Sequence, residues 1–235
     1  MINTFTFNGR TSNEFGVYIS GLQSFDTPQK SIETIVVPGR NGTLTIDNNR
    51  YENIPVSFLC FIPNNFKTNY ASLRNFLLSG SAGYLRLEDT YHPNEFRLAR
   101  YVKGIEPDLS QMIQSGSFTL EFDCEPQRFL TSGETVTELT ADGTISNLTR
   151  FISKPLVRVY GAGVLTIGST QLTITTAGTA YIDIDSEAQD ISEGTTNRNS
   201  NVELTEFPEL VPGDNGIVIG AGISKVQITP RWWQL

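Results

Sequence analysis

The residues best suited to chemistry lie in one short run, Tyr181-Ile182-Asp183-Ile184-Asp185-Ser186-Glu187, where three carboxylates occupy alternate positions. Alternation along a strand puts Asp183, Asp185 and Glu187 on one side and Ile182 and Ile184 on the other. Such a row could bind calcium, or supply the carboxylate pair of a glycoside hydrolase, whose groups stand about 5–9.5 Å apart. A calcium-binding EF-hand loop needs Gly at its sixth position and Glu at its twelfth, where this chain has Ala188 and Gly194. A solvated strand face is the simpler reading.

The other candidates each lack a partner. His92 is the single histidine; it lies in the loop "EDTYHPNEF" with no G-x-S-x-G elbow in the chain, and reads as an exposed loop residue. Cys60 shares an alternating face with Val56, Phe58 and Ile62, and Cys124 with Phe118, Leu120 and Phe122. Both therefore read as small buried hydrophobes. A disulfide between them is geometrically possible but unsupported in a cytoplasmic product, and two cysteines with one histidine are too few for a zinc site. Gly161-Ala162-Gly163 has a superficial likeness to a nucleotide loop, but "VLTIG" follows where a helix is needed, so a hairpin turn is expected. No cofactor, metal or complete catalytic set is indicated, and the chain reads as a non-enzyme.

Two further segments invite a binding role. "VVPGRNGTLTI" (36–46) is Gly-rich and carries Arg40, as an anion cradle would. A cradle needs a following helix whose N–H groups converge on the ligand, and "TLTI" alternates like a strand. The expected structure is a hairpin with a type I′ turn on Asn41-Gly42. Arg40 at its tip is either solvated or a contact to another chain. Trp232 and Trp233 close the chain in "ITPRWWQL". On a continuous strand their rings point to opposite faces, so they cannot form one sugar-stacking platform. Two readings stand: one ring in a core with the other in an interface, or a simple C-terminal anchor. The candidate interface residues are thus Arg40, Asn41, Gly42, Trp232 and Trp233.

The elements that must position these residues are mostly strands. "SIETIVV", "IPVSFLCFI", "GYLRLE", "EFRLARYV" and "GSFTLEFDCE" alternate and are rich in β-branched and aromatic residues. One segment has helical spacing: Phe66, Tyr70, Leu73 and Leu77 share a face, with Asn65 as N-cap and Gly80 as stop. Near residue 132 the composition turns to Thr, Gly and Ile in short strands, the mark of an antiparallel sandwich. Two domains are expected, 1–132 and 133–235, with "SEGTTNRNSN" (192–201) an exposed loop. The net charge is −8. Residues 134–235 hold 6 Lys/Arg against 12 Asp/Glu, and residues 1–133 hold 11 against 13. No basic stripe suited to nucleic acid is visible. No apolar run approaches the roughly 20 residues of a membrane span, and the N-terminus has no secretory pattern, so synthesis in the cytoplasm is expected.

Taken in order, several stretches resemble the distal tail protein (Dit) family of long non-contractile phage tails. They are "FTFNGRTSNEFGVYI" (5–19), the P-G-R-[ND]-G hairpin and the strand after it (31–62), the helix at 66–79, and "GYLRLEDTYHPNEFRLARYV". "KPLVRVYGAG", "YIDIDSEAQ", "FPELVPGDNGIVI" and "ITPRWW" follow; Gly216 after "PGDN" is a local departure from the pattern. The resemblance covers nearly the whole chain. It implies a mainly β protein: a ring-forming, tail-tube-like first domain with one helix and a long hairpin, and a galectin-like β-sandwich second domain. It also implies a hexameric hub at the tail tip of the virion, joining the tail tube protein to tip or baseplate and receptor-binding proteins. DNA and the tape-measure protein would pass through its channel unbound. In some members the final strand, here about 224–235, returns to the first domain. The competing classes are a carbohydrate-binding module in the second half, which lacks a histidine and has Trp only at its end, and a wall-degrading enzyme using a carboxylate pair.

Overall fold

A computed structural model describes residues 3–21, 27–80, 83–105, 114–176, 178 and 180–235. The described chain is mainly β, with one α-helix, and divides into two units: Met1–Arg128 with Leu235, and Phe129–Gln234.

The first unit contains β1 (Phe5–Phe7), β2 (Arg10–Thr11), β3 (Tyr18–Ile19), β4 (Lys30–Val36), β5 (Thr43–Tyr51), β6 (Ile54–Ile62), α1 (Phe66–Leu78), β7 (Leu85–Asp89), β8 (Glu95–Tyr101) and β9 (Gly116–Cys124). Its main sheet runs β2-β1-β7-β8-β9-β6-β3, all antiparallel. The period-2 pattern sets the faces: Ile54, Val56, Phe58, Cys60 and Ile62 of β6 are buried, as are Phe118, Leu120, Phe122 and Cys124 of β9. Cys60 is opposite Phe118 and Cys124 opposite Ile54, at opposite ends of the ladder, and both thiols are free. Helix α1 buries Phe66, Leu73 and Leu77 and packs Tyr70 and Phe76 against the same core. Rings interlock beneath the sheet; Phe7 and Phe122 lie 4.9 Å apart.

The helix ends differ in detail from the expected caps. Asn65 is the N-cap residue, but it sits in the left-handed region and makes no side-chain cap; its carbonyl accepts from Thr68 and Asn69 instead. Ser79 closes the other end by donating its N–H to Asn75. Gly80 follows without the positive φ of a glycine stop.

The junction strand β10 (Arg128–Leu130) leads into β11 (Thr137–Leu139), β12 (Gly143–Asn147), β13 (Leu156–Gly161), β14 (Gly163–Ile167), β15 (Thr170–Ile174), β16 (Ile182–Asp185), β17 (Asp190–Glu193), β18 (Thr196–Asn197), β19 (Val202–Leu204), β20 (Gly213–Ile219), β21 (Ile223–Thr229) and β22 (Trp233–Gln234). Two sheets, β11-β21-β13-β16-β17-β18 and β12-β20-β14-β15-β19, share one aliphatic core. Residues 223–229, part of the segment expected to return to the first domain, pair with β11 and β13 here.

Two loop expectations need correction. Gly161-Ala162-Gly163 is not a hairpin turn: β13 and β14 belong to different sheets, and the glycines carry the chain from one to the other. A Cβ on Gly161 would lie 2.2 Å from the Gly222 carbonyl, so backbone packing, not a phosphate, explains the glycine. Residues 192–201 are largely exposed, as expected, but are not a plain loop: Ser192 and Glu193 end β17, Thr196–Asn197 form β18 and Asn199–Asn201 a 3-10 turn, and the Asn199 side chain accepts the Ile191 N–H.

Candidate assembly surface

Among the described residues, strands β4 and β5 pair only with each other, as a two-stranded sheet. The cross-strand pairs Ile35–Leu44 and Glu33–Ile46 lie on one face; Ile32–Asp47, Thr34–Thr45 and Val36–Thr43 lie on the other. Both faces are open to solvent. Of β4 only Ser31 is buried, and every residue of β5 is exposed. Val36 is 77% exposed and Ile32 50%. A lone two-stranded hairpin is marginally stable in water, and exposed aliphatic clusters mark surfaces that meet other chains. Covering each of these side chains is worth up to about 1.5–3 kcal/mol. At the base, Lys30 and Asp47 form a close ion pair. Their hydrogen bond holds the Lys30 pKa above and the Asp47 pKa below the ordinary values.

The tip departs from the expected turn. The ladder closes at Val36–Thr43, leaving residues 37–42 as the loop. Arg40 N–H donates to the Val37 carbonyl at 3.2 Å. Pro38 occupies the second turn position and Gly39, at φ +83°, the third, which is the pattern of a type II turn. Gly42 has φ +82° but Asn41 is not left-handed, so no type I′ turn forms there. Pro-Gly comes first along the chain and sets the bend. The two-residue Asn-Gly turn occurs instead at Asn8-Gly9, with φ values of 48° and 75° between the paired Phe7 and Arg10. Arg40, Asn41 and Gly42 are exposed together at the arm's end.

Trp232 and Trp233 belong to the second unit. The strand does not continue through them: β21 stops at Thr229, and Arg231 takes a left-handed φ of 59°. Trp232 packs on the second core and its carbonyl accepts the Leu130 N–H. Trp233 stacks on Phe151 at 4.5 Å and donates its indole N–H to the Ile152 carbonyl. Arg231 donates its backbone N–H to Gly133, and the Ser153 hydroxyl reaches the carbonyls of Pro230 and Arg231. These contacts hold the segment on the second unit, with both tryptophans partly exposed.

The carboxylate row is committed to cations rather than simply solvated. Arg158 holds Asp183 through bonds of 2.7 and 2.8 Å, and this pairing raises the Arg158 pKa further. Arg231 holds Asp185, lowering its pKa. Glu187 lies beyond β16, where Lys154 approaches to 3.4 Å. His92 is partly buried, with Nδ1 3.1 Å from an Asp89 oxygen. Among the described residues no group of three or more His, Cys, Asp or Glu is arranged to hold a metal ion. Burial pushes both thiols up to about 12.

No protein-family model and no curated protein matches this sequence. Among solved structures, the Dit protein (gp 19.1) of SPP1 aligns over 100% of both chains with a TM-score of 0.78 at 12% identity. The chain has the Dit fold. That protein is described as a paradigm of the hub adsorption apparatus in phages infecting Gram-positive bacteria. Structures of the phage p2 baseplate in its activated conformation also align. The one with Sr covers 97% of this chain and 96% of the other, at TM-score 0.53 and 12% identity. The one with Ca covers 97% of each, at TM-score 0.53 and 11% identity.

The exposed aliphatic residues Ile35, Val36, Leu44 and Ile46 were not singled out by sequence reasoning. For Ile35 and Val36 the one hint was the end of "SIETIVV", where adjacent apolar residues put one on each face; Leu44 and Ile46 alternate regularly, and nothing in that pattern says whether their face is covered.

Proposed function

We propose that this chain is a structural subunit of a phage tail tip, a hub without catalytic activity. In this reading six copies close a ring at the distal end of the tail tube, in the virion. The ring joins the tube protein to tip, baseplate and receptor-binding proteins and leaves a channel for DNA and the tape-measure protein. The first unit builds the ring in the manner of a tail-tube subunit, and the second projects as a galectin-like sandwich. The carrying observation is the end-to-end likeness to the SPP1 hub protein. The β4–β5 arm supports it, since a ribbon with aliphatic residues on both faces is suited to a neighbouring copy. A net charge of −8 also disfavours adhesion of nucleic acid. Negative-stain images of concentrated protein, alone and with the tube protein, should show rings with a central hole. Featureless single particles under both conditions would overturn the reading.

A further inference from the structure

Three Asn-Gly pairs occur, at Asn8-Gly9, Asn41-Gly42 and Asn215-Gly216, and the structure treats them very differently. Asn215 is 1% exposed. Its amide nitrogen donates to the carbonyls of Ile145, Val211 and Gly213, and its oxygen accepts the Val211 N–H. Asn8 is exposed and a Gly9 Cβ, like one on Gly42, would meet nothing within 4 Å, so that pair differs from Asn41-Gly42 only in being locked in a two-residue turn, with the Asn8 N–H bonded to the Arg86 carbonyl. Asn41 is exposed at the arm tip. Neither its side chain nor the Gly42 N–H has a hydrogen-bond partner among the described residues. Apart from its chain neighbours, no atom of the described residues lies within 4 Å of where a Gly42 Cβ would stand.

We infer that Asn41 is a site of spontaneous covalent modification: deamidation through a cyclic imide. The Gly42 backbone nitrogen attacks the Asn41 side-chain carbonyl carbon. A C–N bond forms, the bond to the side-chain nitrogen breaks, and ammonia leaves with the proton lost by Gly42. Water then opens the ring at either carbonyl, leaving an aspartyl or an isoaspartyl residue. The net change is amide plus water to acid plus ammonia, with no oxidant or co-reactant. Glycine on the C-terminal side favours attack because no Cβ obstructs the approach and the backbone can rotate into it. The product puts a new negative charge beside Arg40, and the isoaspartyl form lengthens the tip backbone by one carbon. If the arm seats on a neighbouring copy, a step that rests on the proposed function, the modification marks aged, unassembled chains.

The test is peptide mapping of purified protein held in mildly alkaline buffer, with an isoaspartyl methyltransferase assay as the second readout. Conversion at Asn41 should outpace that at Asn8 and Asn215, and Gly42→Ala should slow it at least about tenfold by adding the obstructing Cβ. Asn41→Gln should remove the methyltransferase signal from that peptide. Conversion at Asn8 or Asn215 as fast as at Asn41, or none at Asn41, would overturn the inference. Assembled rings should convert more slowly than free chains. Equal rates in the two would contradict the arm contact while leaving the reactive site standing.

Discussion

Arg231 grips the Asp185 carboxylate through two parallel hydrogen bonds of 2.7 and 2.8 Å, and it does so from a left-handed backbone at φ 59°. Such a backbone is unfavourable for a side chain of this size. The ion pair and the Arg231 N–H bond to Gly133 offset that cost, and together they turn the chain so that Trp232 and Trp233 land on the second unit.

Asp185→Asn should therefore destabilise the second unit by about 1 kcal/mol, a charge-assisted bond discounted for partial exposure. The pH dependence has a definite sign. The folded-state pKa of Asp185 is lowered, chiefly by the hydrogen bonds from Arg231. Its contribution is thus complete above the ordinary carboxylate pKa and is lost as pH falls through the folded value. Thermal melts of wild type and variant should converge as the solution is acidified.

Gly133→Ala tests the same anchor from the other side. An added Cβ would lie 2.2 Å from the Trp232 nitrogen, a collision with backbone that cannot rotate away. A loss of more than about 2 kcal/mol is expected in chemical denaturation. Gly39→Ala meets nothing within 4 Å; its cost is confined to the strained φ of +83°, about 1 kcal/mol, and should be clearly smaller than that of Gly133→Ala.

The arm predicts a separation of folding from assembly. Leu44→Ser with Ile46→Ser removes apolar surface already exposed in the single chain, so stability should move by no more than about 0.5 kcal/mol. Association measured by light scattering should weaken markedly. A large loss of stability without a change in association would show that the arm serves the fold alone.

Cys60 and Cys124 give a probe of opening. Burial raises both thiols to about 12, so neither supplies reactive thiolate at neutral pH. Labelling by a thiol reagent should follow global unfolding across a denaturant series. Fast labelling of the native protein would contradict the packed core.

The core was legible in the sequence because alternation alone decides which side of a strand is buried. Val56, Phe58, Cys60 and Ile62 show this, and so do Phe118, Leu120 and Phe122. The helical face of Phe66, Leu73 and Leu77 followed from the 3.6-residue period in the same way. Turns were less legible, because loop closure depends on ladder register. Asn41-Gly42 has the right residues for a type I′ turn, yet the last pair at Val36–Thr43 leaves the bend to Pro38-Gly39. Pairing of charges was hidden for a similar reason: Arg231 and Asp185 stand 46 positions apart, and no local pattern links them. The exposure of Ile35 and Leu44 could not be read from alternation, which identifies a face without saying whether anything covers it.

The most direct test of the central claim is the particle mass of the intact protein by native mass spectrometry and light scattering, over rising concentration and with the tube protein added. A closed ring several times the 26.0 kDa chain is expected, with the Leu44 and Ile46 double variant shifted toward single chains. A particle that stays at one chain under every condition, tube protein included, would contradict it.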